Sequence, residues 1–297
     1  MMNRRTFLRT TANVAALPLA ARAFAAAPLK LKQGVTRMVF GSGKSVEECC
    51  RVAQSVGATG FDFIDDPNDW PTLRRYGMVN SMLRADFGGG KSEGRPPDGP
   101  LGWHAVGLKE AQGEYFKAVH DLIDVAARER FPNVIVLAGS KNRVSAQEGA
   151  DNAVDFLAKL APHAEQKGVT VCMELLNKFG FQAPPNSLFD NTGWGVDVCK
   201  RVGSTRVKIL YDVFHAQLSE GNIVQNIRNN IAQIGHIHTG SVPGRHELFR
   251  DNEVDYRFVA RTLEELKFSG FVTHEWTPSP DSDVREDLMR SAEIMNP

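Results

Sequence analysis

Beyond its first 27 residues the chain is expected to fold as an α/β protein, a (β/α)8 barrel. Three observations predict this. Eight short apolar runs alternate with stretches of helical periodicity across residues 28–297, which is the size and rhythm of that architecture. The runs are mostly apolar, as suits parallel strands covered on both faces. The last four runs each lead into an acid or an imidazole, and barrels place their chemistry at the carboxyl ends of strands.

Taken in order, Leu31 to Phe40 (LKQGVTRMVF) is the first strand candidate. Ser45 to Val56 is helical, with Ser45 and Glu48 spaced as a capping box and Gly57 as its stop. Gly60 to Ile64 is the second strand, Trp70 to Tyr76 a short helix and Met78 to Leu83 the third strand. Asp86 to Gly107 is long and rich in Gly, Pro and charge. It reads as a functional lid or a disordered segment, with Trp103 and His104 within reach of a ligand or pinning the loop to the body. Gln112 to Arg130 carries Phe116, Val119, Ile123 and Ala127 at three- and four-residue spacing, an amphipathic helix. Asn133 to Leu137 is the fourth strand, Ala146 to Lys167 a helix ended by Gly168, and Val169 to Glu174 the fifth strand. Thr192 to Arg201, Asn222 to Asn230 and Tyr256 to Leu266 are helices; Val207 to Tyr211, Ile234 to His238 and Phe271 to Glu275 are strands six to eight. A short helix near Arg285 to Ile294 ends the chain. The competing doubly wound sheet calls for a phosphate loop after its first strand. Gly43-Lys44-Ser45 resembles the end of one, but Met38 stands where the first glycine belongs.

Composition excludes several functions. Lys plus Arg equals Asp plus Glu at 35 each, so the net charge is zero, and no electrostatic footprint for nucleic acid or an anionic membrane exists. Asn3-Arg4-Arg5-Thr6-Phe7-Leu8-Arg9 followed by an Ala-rich apolar segment to Ala27 reads as a twin-arginine (Tat) export signal over residues 1–27, with a periplasmic or exported destination. That segment is too short and weakly apolar to act as a membrane anchor. Cys49, Cys50, Cys172 and Cys199 form no Cys-x-x-Cys pair and are expected as free buried thiols.

The chemistry is carried by Glu174, Asp212, His238 and Glu275, one at the end of each of strands five to eight. In a barrel all four line one side of the mouth. Three carboxylates and an imidazole suit a divalent metal ion of the Mg²⁺, Mn²⁺ or Zn²⁺ kind and leave positions open for substrate oxygens. A lone acid at a strand end is commonly a cap or an ion-pair partner; four at successive strand ends point to a shared site. His236, two residues from His238 on the same strand face, reads as a structural neighbour nearer the barrel interior.

Tyr211-Asp212-Val213-Phe214-His215, Gly235-His236-Ile237-His238, Pro243-Gly244-Arg245-His246-Glu247 and Glu275-Trp276 resemble motifs of the hydroxypyruvate isomerase family, within the xylose-isomerase-like TIM barrels. The resemblance is strongest from Gly168 to Pro278. It implies metal ligands at Glu174, Asp212, His238 and Glu275, an acid/base pair in Glu174 and Glu275, and substrate contacts from His215 and Arg245. The implied reaction is isomerisation of a small α-hydroxy carbonyl compound of the hydroxypyruvate type, by glutamate-mediated proton transfer through an enediolate. Ketose 3-epimerisation is the alternative, and a non-catalytic exported sugar-binding barrel another. Leu175 replaces the Pro common after the fifth-strand glutamate, and His238 replaces a common Gln; both changes bear on the substrate. The superfamily's endonuclease chemistry asks for a multi-zinc cluster and a basic surface, against the neutral charge. Expected partners are a carbohydrate-like small molecule and, in a homo-oligomer, further copies of the chain.

Overall fold

In a computed structural model that describes residues 29–84 and 105–297, eight parallel strands run in the order β3-β2-β1-β8-β7-β6-β5-β4. They are β1 (Lys32–Val35), β2 (Gly60–Asp62), β3 (Val79–Met82), β4 (Asn133–Val136), β5 (Thr170–Glu174), β6 (Val207–Asp212), β7 (Ile234–Thr239) and β8 (Phe271–His274). The remaining seam, β3 to β4, is closed by a parallel bridge between Leu83 and Val134. There Leu83 N–H donates to Asn133 O at 3.0 Å and Ile135 N–H to Leu83 O at 3.0 Å. The sheet is a closed (β/α)8 barrel. The segment expected to be an export signal lies outside the described residues, as does most of the Gly/Pro-rich loop, including Trp103 and His104.

Helices cover the outside: α1 (Val46–Ser55), α2 (Trp70–Arg75), α3 (Gln112–Glu129), α4 (Ala146–Lys167), α5 (Thr192–Val202), α6 (Val213–Ser219), α7 (Ile223–Asn230), α8 (Tyr256–Glu265) and α9 (Val284–Ile294). Local sequence starts and stops them. Ser45 and Glu48 form a reciprocal capping box at α1, Ser145 caps α4, and Gly168 ends α4 at φ 71°, where a side chain would be strained.

The core splits by strand parity. Outward residues such as Met173, Tyr211, Ile237 and Val272 join the main core beneath the helices. Met82, Ile135, Cys172 and Leu210 form a smaller cluster inside the barrel. Because side chains alternate faces along a strand, Glu174 shares the inward face with Cys172, and Asp212 with Leu210. That parity aims the acids at the mouth.

Two details differ from expectation. The first strand stops at Val35, and Arg37–Phe40 forms a 3₁₀ turn. An additional helix, α6, begins directly after Asp212, whose carboxylate caps it by accepting from His215 N–H at 3.1 Å. Apolar residues on both sides of Asp212, Tyr211 before it and Val213-Phe214 after it, hid that cap, so His215 stands on a helix rather than at a strand end. All four cysteines are free and buried, as expected.

Candidate functional site

Glu174, Asp212, His238 and Glu275 each offer a ligand atom, and these atoms all lie within 4.8 Å of one another. Asp212 and His238 are fully buried, and Glu275 is 8% exposed. His238 Nδ1 lies 2.8 Å from Glu275 Oε2, 3.7 Å from Glu174 Oε1 and 3.9 Å from Asp212 Oδ2, yet it makes no well-directed hydrogen bond. A buried polar atom in that position is costly unless something coordinates it. Its other nitrogen is committed: Nε2 is 3.0 Å from Asp62 Oδ2. A carboxylate behind one ring nitrogen fixes the imidazole and frees the other as a metal ligand.

Asp62 is a residue that sequence reasoning missed. It sits inside the apolar run Gly60-Phe61-Asp62-Phe63-Ile64; a lone acid inside such a run was the available signal. Phe61 joins the outer core, so by strand alternation Asp62 faces into the barrel; the β2–β3 register shifts beside it, with Ser81 as the extra residue on β3. There Asp62 Oδ2 also meets His236 Nε2 at 2.7 Å, and Oδ1 accepts from Ser81 Oγ. Burial would raise its pKa, but His236 and His238 together hold it far below the carboxylate range. The next residue, Phe63, has φ 64°, uncommon for a bulky side chain. Its ring packs edge-on against His238 at 5.8 Å.

Arg245 reaches the same centre from the loop after β7. Its Nη2 donates to Asp212 Oδ2 at 2.8 Å and to Glu275 Oε2 at 2.5 Å, and Nε donates to the Glu275 carbonyl at 3.0 Å. The backbone makes this approach possible at Gly240, where a Cβ would stand 2.9 Å from Arg245 Cγ and 3.2 Å from Glu275 O. The guanidinium also stacks over Phe214 at 4.9 Å. Glu247, two residues on, ties the loop down by accepting from Ser279 N–H at 2.8 Å and Ser279 Oγ at 2.6 Å.

Opposing effects set the site's electrostatics. Burial raises the pKa of Glu174. Burial would also raise that of Glu275, but Arg245 and His238 pull it down to about 2. For His238 burial favours the neutral ring, yet Glu275 and the other carboxylates prevail and raise its pKa well above normal. The site thus holds a proton where a cation could sit. With that proton displaced, three carboxylates against one guanidinium leave two negative charges beside a neutral imidazole, the complement of a divalent ion. The residues therefore fit a metal of the Mg²⁺, Mn²⁺ or Zn²⁺ kind.

His215 is buried on α6, and burial lowers its pKa to about 4, so it is neutral. Asn177 is oriented by its own loop: Oδ1 accepts from Phe179 N–H at 3.0 Å and Phe181 N–H at 3.3 Å, and Nδ2 donates to Phe181 O at 2.7 Å. The same Nδ2 lies 2.8 Å from His215 Nδ1, which must then accept, leaving the proton on Nε2. His215 Nε2 in turn faces Arg245 Nη1 at 3.2 Å. Two donors converge there.

Comparison with known proteins follows this geometry. A family profile described as xylose isomerase-like TIM barrel matches residues 50–294. A Danio rerio protein provisionally named hydroxypyruvate isomerase is 29% identical over 155 residues, 52% of this chain and 55% of its own. A 2-oxo-tetronate isomerase from Pectobacterium atrosepticum is 27% identical over 181 residues, 59% of this chain and 66% of its own. The chain thus matches between half and two thirds of the length of these two relatives. A solved structure of an AP endonuclease, family 2, from Brucella melitensis superposes with a TM-score of 0.73 at 19% identity, covering 89% of this chain and 99% of the other. At that identity the likeness concerns the fold.

Proposed function

The chain belongs to the xylose isomerase-like TIM barrel family, and from that premise we propose that it is a metal-dependent isomerase of a small α-hydroxy carbonyl compound, of the hydroxypyruvate type. The observation that carries this reading is the convergence of Glu174, Asp212, His238 and Glu275 within 4.8 Å, with His238 Nδ1 buried and lacking a hydrogen bond.

In this reading Glu174, Asp212, His238 and Glu275 hold the ion, which when bound supplies Lewis-acid polarisation of the substrate carbonyl. One glutamate, Glu174 or Glu275, removes the proton from the carbon beside the carbonyl and leaves an enediolate. The same or the opposite glutamate returns a proton to the neighbouring carbon, which interconverts ketone and aldehyde. A positioned carboxylate of this kind contributes about 10²–10⁴-fold. His215 Nε2–H and Arg245 Nη1 face one another 3.2 Å apart, two donors that one acceptor could bridge. A substrate oxygen supplies that acceptor, and a carboxylate oxygen does so with charge. Arg245 is also bonded to Asp212 and Glu275, so substrate contact draws on its Nη1 edge.

The same two glutamates support a second reading, 3-epimerisation of a ketose, in which the proton returns to the opposite face of the same carbon. Incubating the mature protein and Mg²⁺ or Mn²⁺ with hydroxypyruvate, four-carbon oxo-acids and ketoses, with NMR of the products, separates the two. Interconversion of an aldehyde and a ketone is expected; inversion at one carbon of a ketose would replace the first reading with the second. Export through the twin-arginine route belongs to the proposal, on the Arg4-Arg5 motif. Periplasmic fractionation of wild type and an Arg4→Lys/Arg5→Lys variant tests it. Among the described residues no helix is long and apolar enough to cross a membrane.

A further inference from the structure

At the end of the barrel opposite the mouth, where the strands begin, a cavity of about 490 Å³ opens beneath β1 and β4 to β8. Barrel interiors are normally filled by bulky branched side chains. Here Thr170 and Lys208 take the inward positions, on the same strand faces as Cys172 and Leu210 of the interior cluster. A Cβ at Gly235 would stand 2.9 Å from Lys208 Cβ and 3.1 Å from Cys172 Sγ, so the glycine makes room for the lysine stem. The charges around the cavity have one sign. Lys32, Arg206, Lys208 and Lys267 border it, and no Asp or Glu does. Among the described residues none of the four pairs with a carboxylate. Their contacts are with neutral groups: Lys208 Nζ donates to the Ala232 carbonyl, Arg206 Nη1 donates to Thr170 Oγ1 at a long 3.4 Å, and Lys32 Nζ stands 5.9 Å from the Phe271 ring centroid. In a chain with 35 basic and 35 acidic residues this is a local asymmetry, and a cleft lined by one sign of charge focuses its field on counter-ions.

We infer that this cavity binds a small phosphorylated organic molecule, with its phosphate among the four cations. A guanidinium supplies a planar fork for phosphate oxygens, and the ammonium groups supply point charges. The hydroxyls of Thr170 and Ser269 on the same wall add neutral donors. Ile231, Leu266 and Phe268 make an apolar side to the cavity, which suits a carbon skeleton rather than a bare ion. Its volume falls in the range of small-molecule pockets, about 300–1,000 Å³. None of these residues belongs to the proposed isomerase centre, and the site does not depend on that proposal.

The test is calorimetric titration of the full-length protein at physiological chloride with glucose 6-phosphate, glucose and inorganic phosphate as probes. Wild type is compared with Arg206→Gln/Lys208→Gln and with Lys267→Gln, whose side chain lies exposed in the loop before β8. Glucose 6-phosphate should bind wild type, glucose should not, and inorganic phosphate should bind more weakly than the ester. The double variant should lose about tenfold or more in affinity, the worth of a bond to a charged group, with turnover unchanged. Lys267→Gln should weaken binding in the same direction, and it carries the test if circular dichroism shows the double variant misfolded. Equal affinity for the ester and for inorganic phosphate would confirm the phosphate site and assign it to the free ion, overturning the organic part. No binding of either phosphate, or equal affinity in wild type and both variants, would overturn the inference, because any phosphate bound would then sit elsewhere, as at Arg245.

Discussion

His238 Nε2 and Asp62 Oδ2 lie 3.0 Å apart with both side chains fully buried, although the two residues are far apart in sequence. The bond fixes which imidazole nitrogen faces Glu174, Asp212 and Glu275. Replacing Asp62 with Asn keeps the shape and removes the charge. Metal affinity should fall by about 10–100-fold, the usual cost of losing a carboxylate behind a ligating histidine. Calorimetric titration with Mn²⁺ reads this directly; unchanged affinity would mean that Asp62 serves only the fold.

Either glutamate variant, Glu174→Gln or Glu275→Gln, should fold and lose turnover by about 10²–10⁴-fold, the contribution of a positioned acid or base. Circular dichroism checks the fold, and steady-state rates check the chemistry.

Gly240→Ala should act on the site from the backbone. The new methyl would stand 2.9 Å from Arg245 Cγ, so the guanidinium must shift from Asp212, Glu275 and His215. Turnover should fall by about tenfold or more, since small misplacements cost that much. Arg245→Met in the same background should add little, because the two changes remove one interaction. A double-mutant cycle on kcat/KM decides.

Glu247 links pH to stability. Burial would raise its pKa, but the two bonds from Ser279 prevail and lower it. A carboxylate with a depressed folded-state pKa binds fewer protons folded than unfolded, so its contribution is complete above the ordinary value near 4.5 and is lost as pH falls below it. The difference in melting temperature between wild type and Glu247→Gln should therefore be largest near neutral pH and shrink below about 4.5. A gap that stays constant down to pH 3 would contradict this.

The barrel was legible because its strands are buried on both faces and read as apolar runs, and because Ser45, Glu48, Gly57 and Gly168 punctuate helices in ways that need no tertiary context. Glu174, Asp212, His238 and Glu275 stood out for a related reason, as polar residues closing apolar runs. Asp62 did not, because it stands inside an apolar run rather than at its end, and its partners His236 and His238 come from β7, across the barrel. The α6 cap was hidden because Asp212 both ends a strand and begins a helix. The basic cavity gathers Lys32, Arg206, Lys208 and Lys267 from separate segments that only barrel closure brings together.

The most direct test is hydrogen exchange. Mature protein with Mn²⁺ is incubated in D₂O with the α-hydroxy carbonyl panel, and mass spectrometry follows deuterium at the carbon beside the carbonyl. The account predicts metal-dependent incorporation that Glu275→Gln abolishes. No incorporation into any panel member, by protein shown to hold its metal at Glu174, Asp212, His238 and Glu275, would contradict proton transfer by this centre.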